Sequence, residues 1–213
     1  MLLIKRIIFI LALLPLAMCQ AADEKKYKAG EHYDILPQQV RTASSDKIEV
    51  NEVFSYTCGH CYNFQSKLHP WVDKLPADVD FQSTPVIWQP KLEPYARAYY
   101  AAKILNVLDK VHTPIFESIH LHKKSIKSEA DFAAIFAAKG IDKKKFSSAF
   151  NSFGTTSMIT QAKSRVRAYK VRGTPEMIIN GKYRVSTTSA GGFSGMLKVA
   201  EFLIDKERAL AAK

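Results

Sequence analysis

Apolar residues along this chain fall into distinct rhythms, and each rhythm predicts an element. Tyr33-Asp34-Ile35-Leu36 predicts a short first strand. Ile48 to Tyr56, rich in β-branched and aromatic residues, predicts a second. Thr57 then stands where a helix cap belongs. From Cys58 to Leu75 the apolar residues Tyr62, Phe64, Leu68, Trp71, Val72 and Leu75 recur at helical spacing, with a kink expected at Pro70. Val79 to Trp88 returns to strand.

From about Pro90 the spacing is helical for a long stretch, beginning with a helix over Tyr95 to Lys110. Thr113-Pro114 has the form of an N-cap followed by proline at the first helical position, opening a helix through His122. Ser128 with Asp131 forms a capping-box pattern, and Gly140 closes that helix. Asp142 caps a helix ending near Gly154, and Thr156 to Tyr169 makes the next. Two strand signals, Met177 to Ile179 and Tyr183 to Val185, flank Asn180-Gly181, a strong hairpin-turn dipeptide. A last helix is predicted from Ser194 to Arg208. Because strands lie on both sides of the helical run, it reads as an insertion into an α/β unit. The expected division is 22–90 with 167–213 for the α/β domain and 91–166 for the inserted all-α domain.

The N-terminus follows another logic. Lys5 and Arg6 precede the apolar run Ile7 to Leu14, and small residues lead to Ala21-Ala22. This is the pattern of a secretory signal peptide, residues 1–21, removed on export. The run is too short to cross a bilayer as a mature helix. A second-ranked reading takes Leu16-Ala17-Met18-Cys19 as a lipoprotein signal acylated at Cys19, although Met18 suits that pattern poorly. The formal net charge of +11 comes from scattered Lys and Arg, with the densest cluster, Lys143-Lys144-Lys145, on a predicted helix. That scatter favours a solvated surface, and no nucleic-acid partner is expected.

Removal of the leader reduces three cysteines to Cys58 and Cys61. A disulfide across two intervening residues closes almost no loop, so its use is chemical before it is structural. The pair sits where a strand hands over to a helix. There the first amides lack intrahelical partners and the helix dipole is positive, which favours a thiolate at Cys58. The imidazole of His60 is a candidate second donor. Each unit of pKa lowering favours the thiolate by roughly 1.4 kcal/mol. A stabilised thiolate stabilises the reduced protein and makes its disulfide easy to give away. A zinc site would need two more ligands at suitable spacing, and His32, His69, His112, His120 and His122 do not supply it; His120 and His122 read as a solvated pair. An inert structural disulfide stays open as an alternative.

Thr174-Pro175 lies between a helix and a strand signal, an unusual place for proline outside a special turn or edge. A cis bond there would present a backbone edge able to pair with an extended peptide. Cys58-Gly59-His60-Cys61 after Glu-Val-Phe-Ser-Tyr, the following Tyr62-Asn63-Phe64, and Arg172-Gly173-Thr174-Pro175-Glu176-Met177 with Asn180-Gly181-Lys182-Tyr183 together resemble the DsbA family of periplasmic thiol:disulfide interchange proteins. The resemblance runs over nearly the whole mature chain. It implies a thioredoxin-like fold with an inserted all-α domain, a reactive Cys58 and a buried partner Cys61. It also implies a cis Pro175, with Thr174, Gly59 and Gly173 against the substrate backbone. Glu52 matches an acid beneath the active site that assists proton movement to and from Cys61; its plain reading is an ordinary strand acid. Two departures stand out: Gly-His replaces the Pro-His of well-known members, and Thr precedes the proline where many oxidases have Val.

The resemblance further implies a periplasmic location, newly exported cysteine-containing proteins as substrates, a membrane quinone-linked partner of the DsbB type for reoxidation, and no cofactor. An isomerase or reductase of the same fold and a peptide-binding chaperone are the rival readings. Isomerases of similar fold carry a dimerisation region, for which the roughly ten residues between leader and first strand leave no room.

Overall fold

The computed structural model describes residues 26–212, so the expected leader and Cys19 lie outside the described residues. Five strands form one mixed sheet in the order β1-β5-β4-β2-β3, with β1 Asp34–Ile35, β2 Ile48–Phe54, β3 Val79–Pro85, β4 Glu176–Ile179 and β5 Tyr183–Ser186. Strands β2 and β3 run parallel, and β4 pairs antiparallel with both β2 and β5. A parallel pair needs a crossover, which helix α1 (Gly59–Val72) supplies. Strand β3 stops at Pro85, short of Trp88, which is half exposed; Val86 still donates its amide to Phe54 O at 2.8 Å.

Between β3 and β4 come a 3₁₀ turn (Pro90–Leu92) and α2 Glu93–Ile104, α3 Leu108–His120, α4 Glu129–Ala138, α5 Lys143–Phe150 and α6 Phe153–Ala168; α7 (Phe193–Ala211) follows β5. The capping box at Ser128 is present in full, and Asp142 caps α5 through the amides of Lys144 and Lys145. Three expectations about the helices are corrected. Asn106 takes φ 54°, a conformation asparagine tolerates, and breaks the expected Tyr95–Lys110 helix in two. Because α3 starts at Leu108, Pro114 lies inside the helix and not at its first turn. Similarly, α5 ends at Phe150 and Gly154 belongs to α6, capped by the Ser152 hydroxyl on Thr155 N.

One face of the sheet packs on α1 and α7 through Val50, Phe64, Leu68, Met177, Val185, Met196 and Leu203. The other meets α6, where Val166 and Tyr169 pack with Val53 and Ile178, across the expected boundary at residue 166. The inserted helices bury Phe116, Phe132, Phe136 and Phe146 in a cluster that continues into Phe54, Tyr56 and Cys61. The core of the insertion thus reaches the cysteines without a break. The β4–β5 hairpin turns at Asn180 (φ 50°) and Gly181 (φ 61°). A Cβ on Gly181 would come within 2.0 Å of the Val40 carbonyl, so both the backbone conformation and the close approach require glycine.

Candidate active site

The turn from β2 into α1 positions the cysteines. Cys58 donates its amide to Ser55 O at 3.1 Å and has extended φ −91° and ψ 116°. Cys58, not Thr57, is therefore the N-cap; the Thr57 hydroxyl pairs with Ser55 Oγ at 2.9 Å instead. This correction carries the chemistry. An N-cap side chain stands at the end of the helix where the amides of the second and third helical residues, here His60 and Cys61, are unpaired; the Cys58 sulfur makes no cap hydrogen bond but lies at that electropositive end.

The consequence is a Cys58 thiol lowered from the ordinary value to about 5. The largest cause is a hydrogen bond from the Cys61 thiol, followed by the Thr174 side chain and the amides of Cys61 and His60, against partial burial, which raises it. Cys61 behaves oppositely. It is fully buried, and burial, with donation to Cys58, pushes its thiol far above the ordinary value. The two cysteines are free thiols in this structure, an outer one poised to be an anion and an inner one held as a thiol.

Facing them, the Thr174–Pro175 peptide is cis, and the Cys58 thiol donates to Thr174 O at 3.3 Å. Gly59 begins α1 beside the sulfur, and neither Gly59 nor Gly173 has an atom within 4 Å of where a Cβ would stand, so both are open to an approaching chain. The His60 imidazole is exposed and lies edge-on to Phe193 at 6.5 Å. It contributes to Cys58 through its backbone amide, which replaces the expected imidazole donor.

Glu52 is a buried acid, not a surface one. As central-strand residues, Val50, Glu52 and Phe54 share one face of β2, which turns the carboxyl toward α1. It accepts from Gln65 Nε2 at 3.1 Å and from Ser83 Oγ at 3.3 Å. Burial outweighs these bonds and raises it to about 8. A cavity of about 220 Å³ adjoins it, with a mostly apolar lining that includes Leu68, Phe81 and Leu108 beside Gln65, Ser83 and His112. Folded Glu52 holds its proton more tightly than the unfolded chain does. Its contribution is therefore most favourable below the ordinary value of 4.5 and is lost as pH rises toward 8. Glu52→Gln is expected to leave stability nearly unchanged at about pH 4 and to raise it by up to about 3 kcal/mol at about pH 7. Denaturant titrations of the oxidised protein at the two pH values check this; equal differences at both would contradict it.

Two further residues support the site. Buried Glu176 accepts from the Arg172 amide at 3.3 Å, holding the loop that carries Thr174 from behind. His120 is not a solvated residue: its Nε2 donates to Tyr56 O at 2.8 Å and its ring stacks on Tyr62. His122 is exposed beyond the end of α3.

Residues 77–198 match the DSBA-like thioredoxin domain. The thiol:disulfide interchange protein DsbA of Pseudomonas aeruginosa is 40% identical over 193 residues, 91% of this chain and 92% of that one. Such coverage necessarily includes Cys58 and Cys61, which the domain match does not reach. The DsbA of Azotobacter vinelandii is 39% identical over 181 residues, 85% of each chain. The crystal structure of Pseudomonas aeruginosa DsbA superposes with a TM-score of 0.85 at 40% identity, covering 89% of this chain and 98% of that one. DsbA from Xylella fastidiosa gives 0.81 at 32% identity, covering 86% and 98%.

Proposed function

The chain belongs to the DsbA family of thiol:disulfide oxidoreductases, and from that premise we propose that it works as an oxidant, giving its Cys58–Cys61 disulfide to extended, newly exported proteins. The observation that supports this direction is the asymmetry of the pair: an outer sulfur stable as an anion beside an inner one stable as a thiol.

In the proposed cycle, a substrate thiolate attacks Cys58 Sγ of the oxidised protein and the Cys58–Cys61 bond breaks toward Cys61. The inner sulfur takes up a proton as it leaves, and Glu52, still protonated at neutral pH, is the acid placed to supply it. A second substrate thiolate then attacks the substrate sulfur of the mixed disulfide, and Cys58 leaves as the thiolate that the N-cap site favours. The substrate loses two electrons and the cysteine pair gains two. Thr174 and the open backbone at Gly173 and Gly59 suit an extended substrate segment laid beside the sulfur. Residues 91–166 act in this reading as an inserted domain that flanks the site.

Export to the periplasm rests on the N-terminal pattern, and reoxidation by a quinone-linked membrane partner of the DsbB type rests on the family. Among the described residues no helix is long and apolar enough to cross a membrane. The test is to mix oxidised protein with a reduced, unfolded cysteine-containing polypeptide. One substrate disulfide is expected per protein, and none with Cys58→Ser. Net reduction of substrate disulfides under a glutathione buffer would instead favour the reductase or isomerase reading.

A further inference from the structure

Helix α3 of the insertion touches the active-site turn through one stripe. His112, Phe116 and His120 recur every four residues and so share a face. All three meet Tyr56, which lies in the turn between β2 and Cys58. His112 Nδ1 is hydrogen-bonded to Tyr56 Oη at 2.7 Å, Phe116 lies 4.8 Å from the Tyr56 ring, and His120 Nε2 reaches the Tyr56 carbonyl at 2.8 Å. A carbonyl only accepts, so the proton in that last bond sits on Nε2. Tyr56 is buried in an apolar cluster, where a carbonyl without a partner costs about 1–3 kcal/mol. His120 also grips the chain beyond Cys58. Its ring stacks on Tyr62 with centroids 5.2 Å apart and 14° between planes, and Tyr62 donates its amide to Cys58 O at 3.1 Å, at the start of α1.

We propose that His120 is a positioning residue for the thiol–disulfide reaction, holding the turn on both sides of Cys58 so that its sulfur stays at the N-terminus of α1, facing Thr174 O. The inserted helices thereby set the chemistry of the cysteine although they contribute no reacting atom. The argument rests on Cys58 being the reactive sulfur. The unpaired amides are fixed to α1, and the sulfur stays at that end only while the Tyr56–Cys58 segment keeps its path. Phe116 and His112 hold the Tyr56 side chain, but only His120 holds its backbone.

The experiment follows the pH dependence of Cys58 alkylation and the equilibrium with glutathione in the full chain. His120→Ala is expected to move the alkylation midpoint up by about one pH unit and to make the disulfide about tenfold harder to reduce. His120→Gln, which restores an amide donor, is expected to return both toward the parent. If His120→Ala does not fold, His120→Phe keeps a stacking ring without the donor and carries the same test. A folded His120→Ala or His120→Phe protein that melts earlier but keeps the parent midpoint and glutathione equilibrium overturns the proposal and leaves His120 a purely structural residue. An ordinary thiol midpoint in the parent would instead defeat the reading of Cys58 itself, so the two failures are distinguishable.

Discussion

Replacing Cys61 by serine is expected to turn this protein into a trap that holds substrate polypeptides on Cys58 through disulfides. With the inner sulfur gone, the Cys58 thiolate can still attack a substrate disulfide and expel one substrate sulfur as a thiolate, but Cys61 can no longer attack the new bond and release the substrate. An intramolecular thiol acts at an effective concentration far above any solution thiol, so adducts that the substrate's own second thiol does not resolve should live longer by on the order of a thousandfold. Two-electron oxidation of substrate should cease, because the pair no longer exists to be reduced. The serine hydroxyl can still donate to Cys58, whereas Cys61→Ala removes the largest cause of its lowered ionisation. The alanine variant should therefore also lose thiolate at mildly acidic pH. Non-reducing electrophoresis of the protein recovered from cells checks the trap: adducts that collapse with a reductant, and that vanish in the Cys58→Ser Cys61→Ser double variant, are expected. Their absence would contradict a mixed-disulfide mechanism.

The second large effect concerns stability. The folded state lowers Cys58 from 9.0 to about 5, so the folded, reduced protein binds this proton less tightly than its unfolded chain. A lowered group contributes stability that is fully present above its unfolded value, here 9.0, and is lost as pH falls through about 5. At neutral pH the contribution is on the order of 1–3 kcal/mol after allowance for solvent screening of a half-exposed sulfur. The oxidised protein has no such thiolate, and its short disulfide loop gives little in return. Reduced protein should thus unfold at higher denaturant than oxidised protein near neutral pH, and the gap should close at about pH 4. This inversion of the usual effect of a disulfide is the thermodynamic form of being an oxidant.

Sequence reading reached the parts of this molecule that local chemistry decides. The Ser128–Asp131 box, the Asp142 cap and the Asn180-Gly181 turn each depend on neighbours a few residues away, and each stands where the pattern placed it. The placement of Cys58-Gly59-His60-Cys61 at a strand-to-helix junction was legible for the same reason. Which residue caps α1 was not, because Thr57 and Cys58 differ only in backbone angles that the Ser55 turn imposes. The break at Asn106 was also hidden: a left-handed asparagine within an apolar pattern leaves no mark on the periodicity. His120 was misjudged on burial and Glu52 stood open between a site acid and an ordinary strand acid, since the groups that surround them, Tyr56 and Tyr62 for one and Gln65 and Ser83 for the other, come together only in the folded chain.

The account depends on one sulfur carrying a negative charge in ordinary buffers, and the most direct measurement is the rate of Cys58 alkylation in the reduced protein as a function of pH. The account predicts a single ionisation with its midpoint at about 5 and fast reaction persisting well below neutrality. A midpoint near 9.0, the value of an unassisted thiol, would contradict it.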